Sequence, residues 1–191
     1  MVDVAKNLLA IKAQLPEGVE LTAVSKFHPD EYITAAYNVG QRIFGESHEQ
    51  ELARKAASLP KDIHWHFIGH LQTNKVKYIA PYISMIESVD SIRLLREIEK
   101  QGARCGRRIR VLLELHIAEE ATKYGLTPDD CRSLLADGEW QQMEHVEVCG
   151  LMMMASHTDD HDQIAREMDT AHSFFDEVRG KYFADQPSFR Y

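Results

Sequence analysis

Short hydrophobic segments alternate with longer amphipathic segments along most of the chain. The short segments are rich in apolar and β-branched residues, which predicts strands. The longer segments repeat apolar residues three or four positions apart, which predicts helices with one buried face. The predicted strands are residues 20–25, 42–45, 63–68, 83–88, 109–115 and 146–152, and the predicted helices are 3–14, 30–38, 47–58, 72–79, 91–101 (with Gly102 as its stop), 128–136 and 160–179.

This alternation predicts an α/β fold with a parallel sheet and helical crossovers. Six units with short connections favour either a doubly wound sheet or a β/α barrel, and the pattern alone leaves both open. No Gly-x-Gly-x-x-Gly follows the first strand and the sequence contains no P-loop, so the usual nucleotide-binding signals are absent. Because there is no linker or internal repeat, we expect one domain over residues 1–191.

Lys26 closes the first predicted strand, in which Thr22, Val24 and Lys26 share one face. Pro29 follows and favours the start of a helix. The lysine amine is therefore expected at the carboxyl end of a buried strand, where α/β folds build active sites. A desolvated lysine there can lose its proton near neutral pH and form a Schiff base with an aldehyde. The structural alternative is a lysine that only extends from a strand end into solvent.

Composition and charge narrow the class of protein. Hydrophobic residues make up 44% of the 191 residues and charged residues 27%, which is typical of a globular protein with a sizeable core. The net charge of −8 offers no basic field to nucleic acid or anionic membrane, and no apolar run is long enough to span a membrane. Three widely spaced cysteines and an N-terminus without a secretory signal indicate the cytoplasm. We expect a monomer or a weak dimer.

Three histidines, His64, His66 and His70, lie on and just beyond the third predicted strand and could bind a metal. A His-x-His pattern is weak support, and no carboxylate follows at a diagnostic spacing. Packing or hydrogen bonding is the commoner role for such histidines. A metal-dependent barrel hydrolase therefore stays as an alternative function, and no metal site is predicted.

Small and polar residues follow two other strands. Ser47 comes after the second strand and is the expected N-cap of the next helix, as Thr158 or Asp159 is for the last helix. The methionine run at the end of the sixth strand is typical of a core. Ala155 and Ser156, which come directly after it, could let a ligand approach the backbone closely.

A series of short motifs occurs in order along nearly the whole chain. They are residues 23–26 (Ala-Val-Ser-Lys), 44–46 (Phe-Gly-Glu), 65–69 (Trp-His-Phe-Ile-Gly), 71–72, 74–75, 88–90 (Ser-Val-Asp), 123–125 (Lys-Tyr-Gly), 150–152 (Gly-Leu-Met) and 154–155. This ordered set resembles the YggS/PROSC-type pyridoxal phosphate homeostasis family, whose fold is similar to the barrel domain of bacterial alanine racemase. Each motif alone is weak, and the order makes the resemblance specific.

The resemblance implies a (β/α)8 TIM barrel of the alanine racemase type, here incomplete, with about six of the eight units after an N-terminal helix. It implies pyridoxal 5′-phosphate (PLP) as the cofactor, held as a Schiff base on Lys26. It also implies a role in vitamin B6 and amino-acid homeostasis without a defined turnover, with PLP-dependent enzymes as candidate partners. The candidate cofactor-binding residues are Lys26, Ser47, His66, Asn74, Met154, Ala155 and Ser156.

A PLP-dependent amino-acid racemase is the alternative on the same fold. It needs a second acid or base on the opposite face of the substrate. Alanine racemase takes that group from a second domain and a partner subunit, and this sequence has nothing after its last helix from which to build one. We therefore expect binding rather than racemisation.

The sequence departs from the family pattern at three places. Ser47 and His116 stand where the family usually has Asn, and this alters the hydrogen bonds that the resemblance implies around the PLP ring. The sequence ends at Tyr191, before the Ser-Met-Gly-Met-Ser and Val-Arg-Ile-Gly segments that supply strands seven and eight and the phosphate cup. We therefore expect weaker phosphate retention and lower stability than in a chain that continues through those segments.

Overall fold

A parallel sheet of six strands forms the centre of the computed structural model, which describes residues 3–117 and 124–191. The strand order is the sequence order, so each strand pairs with the next one along the chain. The strands are β1 (Ala23–Val24), β2 (Ile43–Glu46), β3 (His64–Phe67), β4 (Met85–Val89), β5 (Ile109–Leu115) and β6 (Val146–Met153). The helices are α1 (Val4–Lys12), α2 (Asp30–Asn38), α3 (Glu49–Ser58), α4 (Val76–Ile79), α5 (Ile92–Cys105), α6 (Pro128–Asp137) and α7 (His161–Tyr182).

The two faces of the sheet differ in what covers them. The outer face packs against the helices and forms the main core, in which Phe44, Ile86 and Val111 are almost fully buried. The opposite face, here called the inner face, carries a small separate cluster of Met85, Leu112 and Cys149. Alternate residues along a regular strand share a face, so Glu114, two residues after Leu112 on β5, also lies on the inner face.

The sheet is not closed into a barrel in the described part of the chain. The edge of β6 that does not pair with β5 is bonded to residues at the end of the chain. The N–H groups of Arg190 and Tyr191 donate to the Cys149 carbonyl at 2.9 and 3.1 Å. The Leu151 N–H donates to the Tyr191 carbonyl at 2.9 Å. A Cβ on Gly150 would lie 1.9 Å from that same carbonyl oxygen, so only glycine permits this pairing. The predicted six-unit, incomplete β/α barrel is confirmed.

The first strand is shorter than the predicted 20–25 because a side chain replaces part of its ladder. Gln41 is buried, and its amide nitrogen donates to the carbonyls of Leu21 and Ile43 at 2.7 and 2.6 Å. Regular pairing with β2 is left to Ala23 and Val24. The prediction that a helix starts after Pro29 is confirmed, since Pro29 occupies the N-cap position of α2.

The sequence predicted that Gly102 ends the fifth helix, and this prediction is wrong, because Gly102 lies inside α5. A Cβ there would come within 2.8 Å of the Arg107 carbonyl oxygen and 2.9 Å of the His145 Cβ. Close packing therefore requires this glycine, and the helix ends three residues later at Cys105, with Gly106 in the left-handed region at φ 61°. No helix in the described ranges is both long and apolar enough to cross a membrane.

Candidate functional site

Lys26 lies in a β-turn that joins β1 to α2. The His28 N–H donates to the Ser25 carbonyl at 3.1 Å, which places Lys26 and Phe27 at the two central positions. Phe27 has φ 64°, in the left-handed region where such turns favour glycine. Lys26 is exposed, so the expected desolvation of its amine is not found. Because β1 is a short edge strand, even the preceding Val24 is 51% exposed.

A buried lysine on α3 holds the residue that precedes Lys26. The Lys55 side chain is fully buried, and its ammonium donates to the Ser25 carbonyl, Glu46 Oε1 and Glu51 Oε1 at 2.7, 2.8 and 2.7 Å. These three acceptors match the three donors of an ammonium group. The Ser25 hydroxyl also donates to Glu46 Oε1 at 2.6 Å. We call Ser25, Glu46, Glu51 and Lys55 the Lys55 network.

The same network holds the residue that follows Lys26. Glu51 Oε1 accepts the Phe27 N–H at 2.9 Å, on the oxygen that also accepts from Lys55. Burial opposes ionisation of this carboxyl, but the hydrogen bonds from Lys55 and the Phe27 amide outweigh burial and hold the pKa of Glu51 below its ordinary value. Lys26 is therefore flanked on both sides by backbone groups bonded to one charged cluster.

Three ionisable side chains lie on the inner face near the carboxyl ends of β3, β4 and β5. The buried His66 pairs with Glu87 through Nδ1 and Oε1 at 2.6 Å. Glu114 is buried, and its Oε2 has no hydrogen-bond partner among the described residues. Burial, assisted by the negative charge of Asp90, raises the pKa of Glu114 to about 7. This part of the inner face can therefore hold a proton near neutral pH.

Ser47 follows β2 directly and is in contact with the next loop. A Cβ on Gly69 would lie 2.6 Å from the Ser47 Cβ, so the glycine allows the two loops to touch. The Ser47 hydroxyl lies 3.0 Å from His48 Nδ1. The N-cap residue of α3 is His48, without a side-chain capping bond, so the prediction that Ser47 caps this helix is wrong.

Asn74 is exposed, in a turn of 3-10 helix over Thr73–Lys75. It lines a cleft together with His70 and Asp90, while Ser47 lines a neighbouring cleft that His70 also borders. The His70 ring stacks on Tyr124 with centroids 3.9 Å apart, and its Nδ1 lies 3.4 Å from Asp90. Lys26 lines neither cleft, so these two do not bring the candidate residues together around the lysine.

The candidates after β6 divide between exposed and buried positions. Met154 is 52% exposed, whereas Ser156 is buried against α7. The Ser156 N–H and hydroxyl donate to the two carboxylate oxygens of Glu167 at 2.7 and 2.6 Å. The N-cap of α7 is Asp160 rather than the predicted Thr158 or Asp159. Lys123, from the motif at 123–125, lies outside the described residues.

The histidines of the third strand do not assemble a metal site in the described ranges. His64 is exposed, His66 pairs with Glu87, and His70 stacks on Tyr124. No group of three or more His, Cys, Asp or Glu side chains that could hold a metal occurs in residues 3–117 and 124–191. The hydrolase alternative has no support from this part of the chain.

Lys55 and Glu51 are not among the residues predicted from the sequence, although the sequence contains a signal for the lysine. Lys55 lies three residues after Leu52 of α3 and four before Leu59, the residue that ends the helix, and both leucines are buried. A charged residue at the centre of an apolar stripe requires buried partners. Glu51 lies four residues before Lys55 on the same helix, a spacing that the sequence shows. The other two partners, Glu46 of β2 and the Ser25 carbonyl after β1, could not be read from the sequence, because only the fold brings them to α3.

Comparisons with known proteins agree with this architecture of parallel strands and helical crossovers. The family model described as "Alanine racemase, N-terminal domain" matches residues 2–188. An alanine racemase from Streptomyces coelicolor A3(2) has a similar fold, with a TM-score of 0.79 at 18% identity; the match covers 94% of this chain and 49% of that chain. The fold thus defines the chain as an α/β protein of the alanine racemase barrel class.

Proteins with higher sequence identity to this chain identify a narrower family within that barrel class. A pyridoxal phosphate homeostasis protein from Helicobacter pylori (strain ATCC 700392 / 26695) is 33% identical over 163 residues, which are 84% of this chain and 73% of that protein. The pyridoxal phosphate homeostasis protein of Schizosaccharomyces pombe is 37% identical over 140 residues, 72% of this chain. The match spans only 58% of the yeast protein's length.

A solved structure gives the same result. PipY of Synechococcus elongatus PCC7942 with PLP bound matches at a TM-score of 0.84 and 32% identity, over 94% of this chain and 83% of that chain. The chain belongs to the alanine racemase N-terminal domain family and, within it, to the pyridoxal phosphate homeostasis proteins.

Proposed function

We propose that this chain binds PLP covalently at Lys26 and serves vitamin B6 and amino-acid homeostasis rather than a defined turnover. The observation that carries the proposal is an exposed amine, unpaired among the described residues, that follows β1 and is flanked by the Lys55 network. Family membership and the PLP-bound PipY structure support the choice of ligand. The lysine amine condenses with the aldehyde to an imine and releases one water, so no oxidant or reductant is needed.

The remaining candidates fit the cofactor unequally. Both donors of Ser156 are directed to the Glu167 carboxylate, whose charge would repel a phosphate, so Ser156 is a poor phosphate ligand here. Ser47, His66 and Asn74 stay proposed neighbours of the cofactor, and Met154 and Ala155 proposed neighbours of its phosphate. A weak hold on the phosphate would favour exchange of PLP with PLP-dependent enzymes.

We also propose that residues 1–191 form a single domain, located in the cytoplasm, which is a monomer or a weak dimer. Cys105, Cys131 and Cys149 are all free thiols, which supports a reducing compartment. The exposed position of Lys26 supports exchange, because water and a recipient protein can reach the amine. Transfer of PLP from the loaded protein to an apo PLP enzyme, followed as recovered enzyme activity, tests the partner class.

The test of the binding site is to mix the protein with PLP, record the visible spectrum, reduce with borohydride and locate the modified lysine by mass spectrometry. Lys26→Ala is compared with Lys77→Ala, because Lys77 is also an exposed lysine. We expect stoichiometric labelling at Lys26 in the parent and in Lys77→Ala, and none at that position in Lys26→Ala. Labelling scattered over surface lysines would refute the proposal.

A further inference from the structure

The backbone around Lys26 is held more tightly than an exposed turn requires. The Ser25 carbonyl accepts from both the His28 N–H and the Lys55 ammonium, and the Phe27 N–H donates to Glu51. Two of these three bonds involve a charged group, and charge-assisted bonds are stronger than bonds between neutral groups. The turn is thus anchored to α3 on both sides of the lysine.

One of the anchored residues has an unfavourable backbone conformation. Phe27 has φ 64°, and a residue with a Cβ enters this region only where its surroundings enforce it. Phe27 is 74% exposed and its ring contacts the exposed His48 ring at 5.2 Å between centroids, so burial of the Phe27 ring supplies little of that constraint. The bond from its N–H to Glu51 Oε1, in the first turn of α3, acts directly on the strained peptide.

We infer that Glu51 is a positioning residue for Lys26: by accepting the Phe27 N–H it fixes the turn in the conformation that presents the amine. Glu51 touches no ligand in this scheme and acts only through the backbone. The inference rests on the proposed function for its effect on PLP, but its effect on the turn does not depend on PLP.

The chain offers a closely matched control on the same helix. Glu49 and Glu51 are the two acidic residues in the first turn of α3, and their side chains are 19% and 20% exposed. Each forms an ion pair with a lysine, Glu49 with Lys75 at 2.6 Å and Glu51 with Lys55 at 2.7 Å. Only Glu51 bonds the turn. The test compares Glu51→Ala with Glu49→Ala, and adds Glu51→Gln, which keeps an oxygen acceptor.

Two quantities are measured on each variant of the 191-residue chain: the concentration of PLP that half-saturates Lys26, and the hydrogen-exchange rate of the Phe27 amide. For Glu51→Ala we expect about a tenfold weaker PLP interaction, which is about 1.4 kcal/mol, and at least about tenfold faster exchange. Glu49→Ala is expected to leave both within about twofold of the parent, and Glu51→Gln to recover most of the PLP affinity. Urea unfolding of each variant shows that it is folded.

Equal effects of Glu51→Ala and Glu49→Ala on both readouts would overturn the inference, and so would faster Phe27 exchange with unchanged PLP affinity. If PLP labels no Lys26 even in the parent, the proposed function fails. The role of Glu51 in fixing the turn is then decided by the Phe27 exchange rate alone, which must still rise in Glu51→Ala and stay constant in Glu49→Ala.

Discussion

Replacing Lys55 with methionine removes the central charge of the Lys55 network and keeps most of the side-chain volume. Glu46, which is also fully buried, would lose its cation, and its Oε2 already has no hydrogen-bond partner among the described residues. Breaking a buried ion pair by removing one partner costs about 3–5 kcal/mol, because the remaining charge stays buried and unpaired. A domain of ordinary stability has about 5–15 kcal/mol in total, so Lys55→Met should leave the fold marginal.

The assay is urea unfolding followed by circular dichroism, with Lys77→Met as the control because Lys77 is exposed. The control should shift the free energy of unfolding by less than about 0.5 kcal/mol. Adding Glu46→Gln to Lys55→Met should recover at least about 1 kcal/mol, since the uncompensated charge is then gone. The reasoning is refuted if Lys55→Met unfolds at the same urea concentration as the control, or if the second substitution makes it worse.

Two further predictions concern single positions. Phe27→Asn should raise the free energy of unfolding by about 0.5–1 kcal/mol, because Asn tolerates φ 64°. Phe27→Val should lower it by at least about 1 kcal/mol, because a β-branched residue does not tolerate that angle. Equal urea midpoints for the two variants would contradict this. For Glu114, a folded pKa of about 7 against an ordinary 4.5 means that the stability from the neutral carboxyl is complete below pH 4.5 and is lost as the pH rises through 7. At pH 8 Glu114→Gln should therefore be more stable than the parent by about 2–3 kcal/mol, with little difference at pH 4, and a gain that does not change with pH would contradict the assignment.

Predictions from the sequence succeeded where one segment determines the outcome. Hydrophobic periodicity located the six strands and the crossover helices, and Pro29 set the start of α2. Predictions from the sequence failed where a residue distant in the chain changes the local structure. The Gln41 side chain shortened β1, and the packing of His145 against Gly102 carried α5 through a glycine that is normally read as a stop.

The site shows the same division. Lys26 could be predicted as a candidate from its position after a strand. The hydrogen bonds on either side of it could not be predicted, because Glu46 and Lys55 meet only after β2 and α3 are packed. Ser156 illustrates the converse. A small polar residue after a strand suggests a ligand, whereas the fold places Glu167 of α7 within hydrogen-bond distance of it. Local sequence patterns predict the secondary-structure position of a residue, and tertiary packing determines which groups its side chain contacts.

The bonds that hold the turn around Lys26 all come from one short stretch of the chain. Their donors and acceptors lie between Ser25 and Lys55, on β2, on α3 and in the turn itself. Such a unit has low sequence separation, so little loop-closure entropy opposes its formation. During synthesis Lys26 can therefore acquire its final surroundings as soon as the first two β/α units have left the ribosome, before the later strands of the sheet exist.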